Sequence, residues 1–233
     1  SQSRKFVEFS NDEDRRNLDG DGRVTEKKPV FDIGDTLMPS YRIQSKLMGD
    51  VFRQHGTGDP PEFRQANFRI YTAGDVKSYL EDHGLGDADP VRGIDKYKDS
   101  ERRYMEENGV FRFLKNVSRE ISEAGFISDN TIEGKKWMEK ALEEHGVKYS
   151  DLVVSEEVGV EKPSPEIFQE FLDRTGRPGD EFVYFGNNLN RDPACRDLGI
   201  DFVLVTEHRV YGDTEKDFET IDKLDAEKVR KHL

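Results

Sequence analysis

Val30-Phe31-Asp32-Ile33-Gly34-Asp35-Thr36-Leu37 decides the fold of this chain. Two apolar residues run into an aspartate, and the chain then turns through Gly34 toward Thr36 and Leu37. A buried strand that carries a carboxylate out to its end suits an open α/β sheet, because such sheets bind ligands beyond the carboxyl ends of their strands. The same rhythm returns downstream. Short apolar strands are expected at 126–127, 152–154, 183–185 and 202–205, separated by helices near 131–145, 164–175 and 192–198. That alternation specifies an α/β protein with a doubly wound parallel sheet covered on both faces.

Between the first strand and the second the pattern is helical. Ile43, Leu47, Met48 and Val51 keep close to helical spacing over 41–54. A second helix is expected from Thr72, its cap, to Gly84 after His83, and a third over 100–107, stopping at Asn108-Gly109. A further helix over 110–123 runs almost straight into the strand at Phe126. The domain reading is a polar extension over 1–27, a core over 28–40 and 109–233, and a helical insertion over 41–108. Tyr41, Phe52, Phe63 and Tyr71 are expected to form the insertion's own small core. In the extension, Phe6-Val7-Glu8-Phe9 reads as a strand and Asp19-Gly20-Asp21-Gly22 as a turn. Asn17, Asp19, Asp21 and Gly22 copy the start of a calcium loop, but its twelfth position is Lys28 instead of a bidentate glutamate, so calcium is not expected.

Composition narrows the partners. Of 233 residues, 33% are hydrophobic and 36% charged, with a formal net charge of −13, which argues against binding nucleic-acid phosphates. No apolar run reaches membrane-spanning length, and the single cysteine, Cys195, fits a reducing compartment. The expectation is a cytoplasmic protein, monomer or homodimer, with no nucleic-acid or membrane partner.

Three further stretches carry chemistry. Ser128 closes Gly125-Phe126-Ile127, and a strand-end hydroxyl there can donate to an anion beside Asp32; capping the helix near Ile132 is its alternative use. In Gly159-Val160-Glu161-Lys162-Pro163-Ser164-Pro165, the prolines fix the start of a helix and hold Lys162 just before it. Its ammonium can then face the open edge of the sheet and stabilise a carboxylate or a bound phosphoryl group. In Phe185-Gly186-Asn187-Asn188-Leu189-Asn190-Arg191-Asp192, a strand ends in a polar loop, and Asp192 opens a helix. Cys195 on that helix reads as core packing.

Taken in order, these four stretches resemble the motifs of the haloacid dehalogenase-like (HAD) hydrolase superfamily over about residues 27 to 207. The resemblance implies a Rossmann-like core with an α-helical cap inserted between the first two motifs. It implies that Asp32 is a nucleophile forming an aspartyl-phosphate, that Thr36, Ser128, Asp129 and Lys162 bind the phosphoryl group, and that Asp32, Gly34, Asn187 and Asp192 hold Mg2+. The substrate it implies is a small phosphorylated metabolite. Two positions depart from the phosphatase pattern. Gly34 stands where a second aspartate supplies acid–base catalysis, and Asn187 stands where a direct metal ligand is usually an aspartate. Asp35, one residue along, is the candidate to replace the missing acid. Two other readings follow from these departures: a metal-independent hydrolase of the dehalogenase type, with Arg42 as a possible anion-binding group, or a weak or inactive HAD-fold binding protein.

Overall fold

The computed structural model describes residues 26–54, 80–85, 90–210 and 217–233. The expected strand at Phe6, the Asp19–Gly22 turn, Thr72, Phe63 and Tyr71 lie outside those residues. Six strands form one parallel sheet: β1 (Lys28–Phe31), β2 (Ala124–Ser128), β3 (Tyr149–Val154), β4 (Phe182–Gly186), β5 (Asp201–Val205) and β6 (Glu219–Ile221), in the order β3-β2-β1-β4-β5-β6. The chain winds outward from β1 through β2 and β3, then crosses to β4 on the other side. The order therefore reverses between β1 and β4, and a crevice opens there in doubly wound sheets. Asp32 follows β1 at that point.

Alternate residues of each strand feed two cores, as the two-residue period of a strand requires. Phe31, Phe126, Val154, Phe185 and Val203 pack on one face with α3 (Val110–Glu120) and α4 (Ile132–Glu144). Val30, Ile127, Val153, Tyr184 and Leu204 pack on the other with α6 (Pro165–Thr175), which follows the short α5 (Ser155–Val158). Phe111, Leu114 and Val117 of α3, and Ile167, Phe168, Phe171 and Leu172 of α6, are spaced to bury one stripe of each helix. Both faces are covered, so the strands read as continuous apolar runs.

Among the described residues, two of the helices between β1 and β2 pack on each other ahead of α3: α1 (Ser40–Gln54) and α2 (Pro90–Glu107). Phe52 of α1 is buried and meets the His83 ring edge-on, 5.6 Å between centroids. Residues 80–85 end a helical turn at Gly84, whose φ of 75° lies in the left-handed region that glycine tolerates. No helix among the described residues is long and apolar enough to cross a membrane.

Four local expectations need correction. Helix α2 starts at Pro90, not at residue 100, since a proline in the first turn is compatible with a helix. Helix α3 stops at Glu120, and β2 takes up Ala124 and Gly125. Gly125 lies just past this junction. A Cβ there would lie 2.3 Å from Phe171 Cζ, so only a glycine lets α6 seat its ring against β2, and the β2–β3 register shifts at that place. Residues 192–198 wind as a 3-10 helix with Pro193 in the first turn, not as an α-helix. Finally, β6 and α7 (Ala226–Arg230) had no apolar run long enough to mark them.

Candidate active site

Asp32 leaves β1 with its amide N–H bonded to the Phe185 carbonyl (2.9 Å), which ties it to the end of β4. The residue is 6% exposed. Oδ1 accepts from the Ile33 amide at 2.8 Å and faces Lys162 Nζ at 3.1 Å. Lys162 Nζ also donates to Asp192 Oδ1 (2.6 Å) and to the Tyr184 hydroxyl (3.0 Å), which in turn donates to the Ile127 carbonyl (2.8 Å). Asp192 Oδ2 accepts from the Asn188 amide at 2.8 Å. Gly186 makes this possible, because a Cβ there would stand 2.3 Å from Asp192 Oδ2. Burial opposes the Lys162 charge, but Asp192 and then Asp32 hold the proton, and the group stays well above the usual lysine range. Burial raises the Asp32 carboxyl against the pull of Lys162, and Asp192 adds to the rise. Two buried carboxylates share one ammonium, leaving a surplus negative charge that a cation or a proton can balance.

The other oxygen of Asp32 faces Asn187. One end of the Asn187 carboxamide lies 3.0 Å from Asp32 Oδ2, 3.3 Å from the Gly34 carbonyl and 3.2 Å from Thr36 Oγ1. With nitrogen at that end it donates to all three; with oxygen there it accepts only from the Thr36 hydroxyl. Among the described residues no cluster of three His, Cys, Asp or Glu side chains could hold a metal. An ion would rest instead on one carboxylate, one carbonyl and one amide oxygen. That set fits Mg2+: all are hard oxygens, and bonds of about 2.05 Å place neighbouring octahedral ligands about 2.9 Å apart.

The remaining expected residues divide. Ser128 ends β2 on the strand next to Asp32 and is buried; the cap of α4 is Thr131, which accepts from the Gly134 amide at 2.8 Å, so Ser128 has no capping duty. Asp192, expected among the metal ligands, is fully buried with both oxygens taken by Lys162 and the Asn188 amide. The side chain of Asp129, a residue expected to touch phosphate, accepts from the Lys162 amide (2.9 Å) and Arg191 (2.7 Å) and so positions the lysine loop. Asp35, expected as a substitute acid, has a left-handed φ of 58° and accepts from the Tyr41 amide at 3.0 Å, at the start of α1. Burial pushes its carboxyl up to about 6, helped by Glu101 and opposed by the Tyr41 bond and Arg42. Arg42 thus acts on Asp35. Tyr184 and Arg191 went unmarked in the sequence, although a tyrosine amid an otherwise apolar buried strand asks for a hydroxyl partner.

Residues 30–205 match the profile of a family described as haloacid dehalogenase-like hydrolase. A curated relative, the glyceraldehyde 3-phosphate phosphatase of Methanopyrus kandleri, is 27% identical over 186 residues, spanning 71% of this chain and 77% of that protein. Among solved structures, the magnesium-bound HAD-hydrolase YfnB of Bacillus subtilis superposes with a TM-score of 0.61 at 17% identity, over 90% of this chain and 99% of that one. CbbY of Rhodobacter sphaeroides, solved with phosphate, gives 0.60 at 15% identity over 85% and 94%. The solved structures share the fold, and with the profile covering most of the chain the protein belongs to the haloacid dehalogenase-like hydrolases.

Proposed function

We propose that this hydrolase is a phosphatase of small phosphorylated metabolites, with Asp32 as nucleophile. The observation that supports it most is the Lys162 ammonium held 3.1 Å from the Asp32 carboxylate at the mouth of the crevice. The Asp32 carboxylate attacks phosphorus, the ester P–O bond breaks, and the phosphoryl group stays on Asp32 as an acyl phosphate. Water then attacks phosphorus, releasing phosphate and regenerating the carboxylate. Lys162 steers the attacking carboxylate and, with Ser128, faces the phosphoryl oxygens. Tyr184, Asp192 and Asp129 keep Lys162 in place. Mg2+ held by Asp32, the Gly34 carbonyl and Asn187 would neutralise phosphoryl charge. Residues 41–108 are assigned as the cap that closes over the substrate, with residues 28–40 and 109–233 as the core.

Gly34 offers no proton for the leaving group, and Asp35 is turned to α1. The enzyme therefore works best on esters whose leaving group needs no protonation. Glyceraldehyde 3-phosphate is the first metabolite to assay, since the curated relative is named for it. The test is hydrolysis of an aryl phosphate by wild type and Asp32→Asn, each with Mg2+ and with EDTA. Phosphate release that disappears in Asp32→Asn supports the reading. No release from folded wild type under either condition, with turnover of a 2-haloacid, would replace it by the dehalogenase reading.

A further inference from the structure

We infer that the Asn187 carboxamide turns end for end when the site takes up a divalent cation, and that in the metal-free protein its nitrogen does the cation's work of holding Asp32. The inference rests on the metal-assisted reading above. The geometry points to it because the Gly34 carbonyl can only accept, as Asp32 Oδ2 does when ionised, and both lie within 3.3 Å of the same end of the amide. Nitrogen at that end gives each of them a hydrogen bond. Oxygen at that end sets lone pairs against lone pairs unless a cation lies between. An unrelieved clash of acceptors in a site this buried, with Asn187 only 7% exposed, carries a desolvation cost that water does not screen. The two ends of a carboxamide have nearly the same size, so the turn needs no repacking.

This gives the asparagine a purpose that an aspartate cannot fill. A carboxylate at 187 would stand about 3 Å from Asp32 Oδ2, and two such charges cannot both stay ionised in a buried place without a cation. Asn187 keeps the nucleophile braced from that side whether or not metal is present. The exchange is weaker affinity: the cation must displace the amide's hydrogen bonds and gains one negative ligand fewer. Asn187 is then a positioning residue in the metal-free protein and a ligand in the loaded one.

The experiment uses the 15N-labelled full chain, with the Asn187 side-chain NH2 signals identified by their loss in Asn187→Asp. In EDTA those protons should exchange slowly with solvent. Through a Mg2+ titration followed in parallel by calorimetry, the pair should shift and lose protection as the site fills. Binding that saturates with the pair unchanged overturns the turn and leaves the phosphatase reading standing. No binding to wild type overturns both the turn and the metal part of that reading. A second arm compares melting temperatures. Asn187→Asp should melt below wild type in EDTA and recover in Mg2+, at a half-saturating concentration at least about tenfold lower, because the new ligand is charged. Equal melting of the two proteins in EDTA would overturn the bracing role.

Discussion

The two oxygens of Asp32 face different worlds. On the Oδ1 side, Lys162, Asp192 and Tyr184 form a closed network in which the partners are buried to within a few per cent and are joined by bonds of 2.6 to 3.1 Å. On the Oδ2 side, the groups are a glycine carbonyl and an asparagine amide, and the contacts run from 3.0 to 3.3 Å. The first side meets the nucleophile with charges, and the second meets it with neutral groups. A buried ammonium shared by two carboxylates cannot lose one member without stranding a charge, so its parts are locked together. The Oδ2 side can exchange carboxylates for neutral groups, because an amide can present either a donor or an acceptor.

Breaking the closed side should have the largest effect. Lys162→Met leaves Asp192 and Asp32 buried without their cation, and urea unfolding at neutral pH should show a loss of about 3–5 kcal/mol. Adding Asp192→Asn to that variant should restore part of it; a double variant no better than the single one would mean the charges are not what binds the network. Sharpening the other side comes next. A Cβ on Gly34 would meet Ser40 Oγ at 3.2 Å, a contact the serine can relieve by rotating, so Gly34→Asp is expected to fold. A restored acid should raise kcat by about 10²-fold on an alkyl phosphate and much less on an aryl phosphate, whose leaving group needs no proton. An equal gain on both esters would place the effect outside proton transfer.

The smallest effect lies at the start of α1, beside the site. The Asp35 carboxyl is raised from 3.8 to about 6 in the folded chain. The native state therefore holds this proton more tightly than the unfolded one, and its stabilising contribution is complete below about pH 4 and lost as pH rises through about 6. Asp35→Asn keeps an acceptor for Tyr41, tolerates the left-handed backbone and removes the buried charge. It should be more stable than wild type by about 1 kcal/mol at pH 7.5, or roughly 2–4 °C in Tm, with the gap closing by pH 4. A gap that stays constant between those pH values would assign the change to the helix start alone.

Asp32, Ser128 and Lys162 were legible because strand ends and proline-set turns mark them in the chain itself. So was the order of strands and helices, since short continuous apolar runs and a helical period leave different patterns. Neither β6 nor α7 was legible. Each is too short for periodicity to register, and both gain their order from neighbours already in place. Asp35 and Asp129 were placed in the site by sequence position, but the first turns to α1 and the second to the lysine loop.

The sequence by itself determined the α/β rhythm and the carboxylate at the end of the first strand. These depend on residue type and spacing, which the chain carries locally. Only the tertiary structure decided which partners those groups receive. Lys162 meets Tyr184 and Asp192 across 22 and 30 residues, Arg191 reaches Asp129 across 62, and Thr36 reaches Asn187 across 151. Whether a buried carboxylate is held by an ammonium, an amide or a cation depends on what the fold brings within about 3 Å of it, and spacing along the chain does not encode that distance.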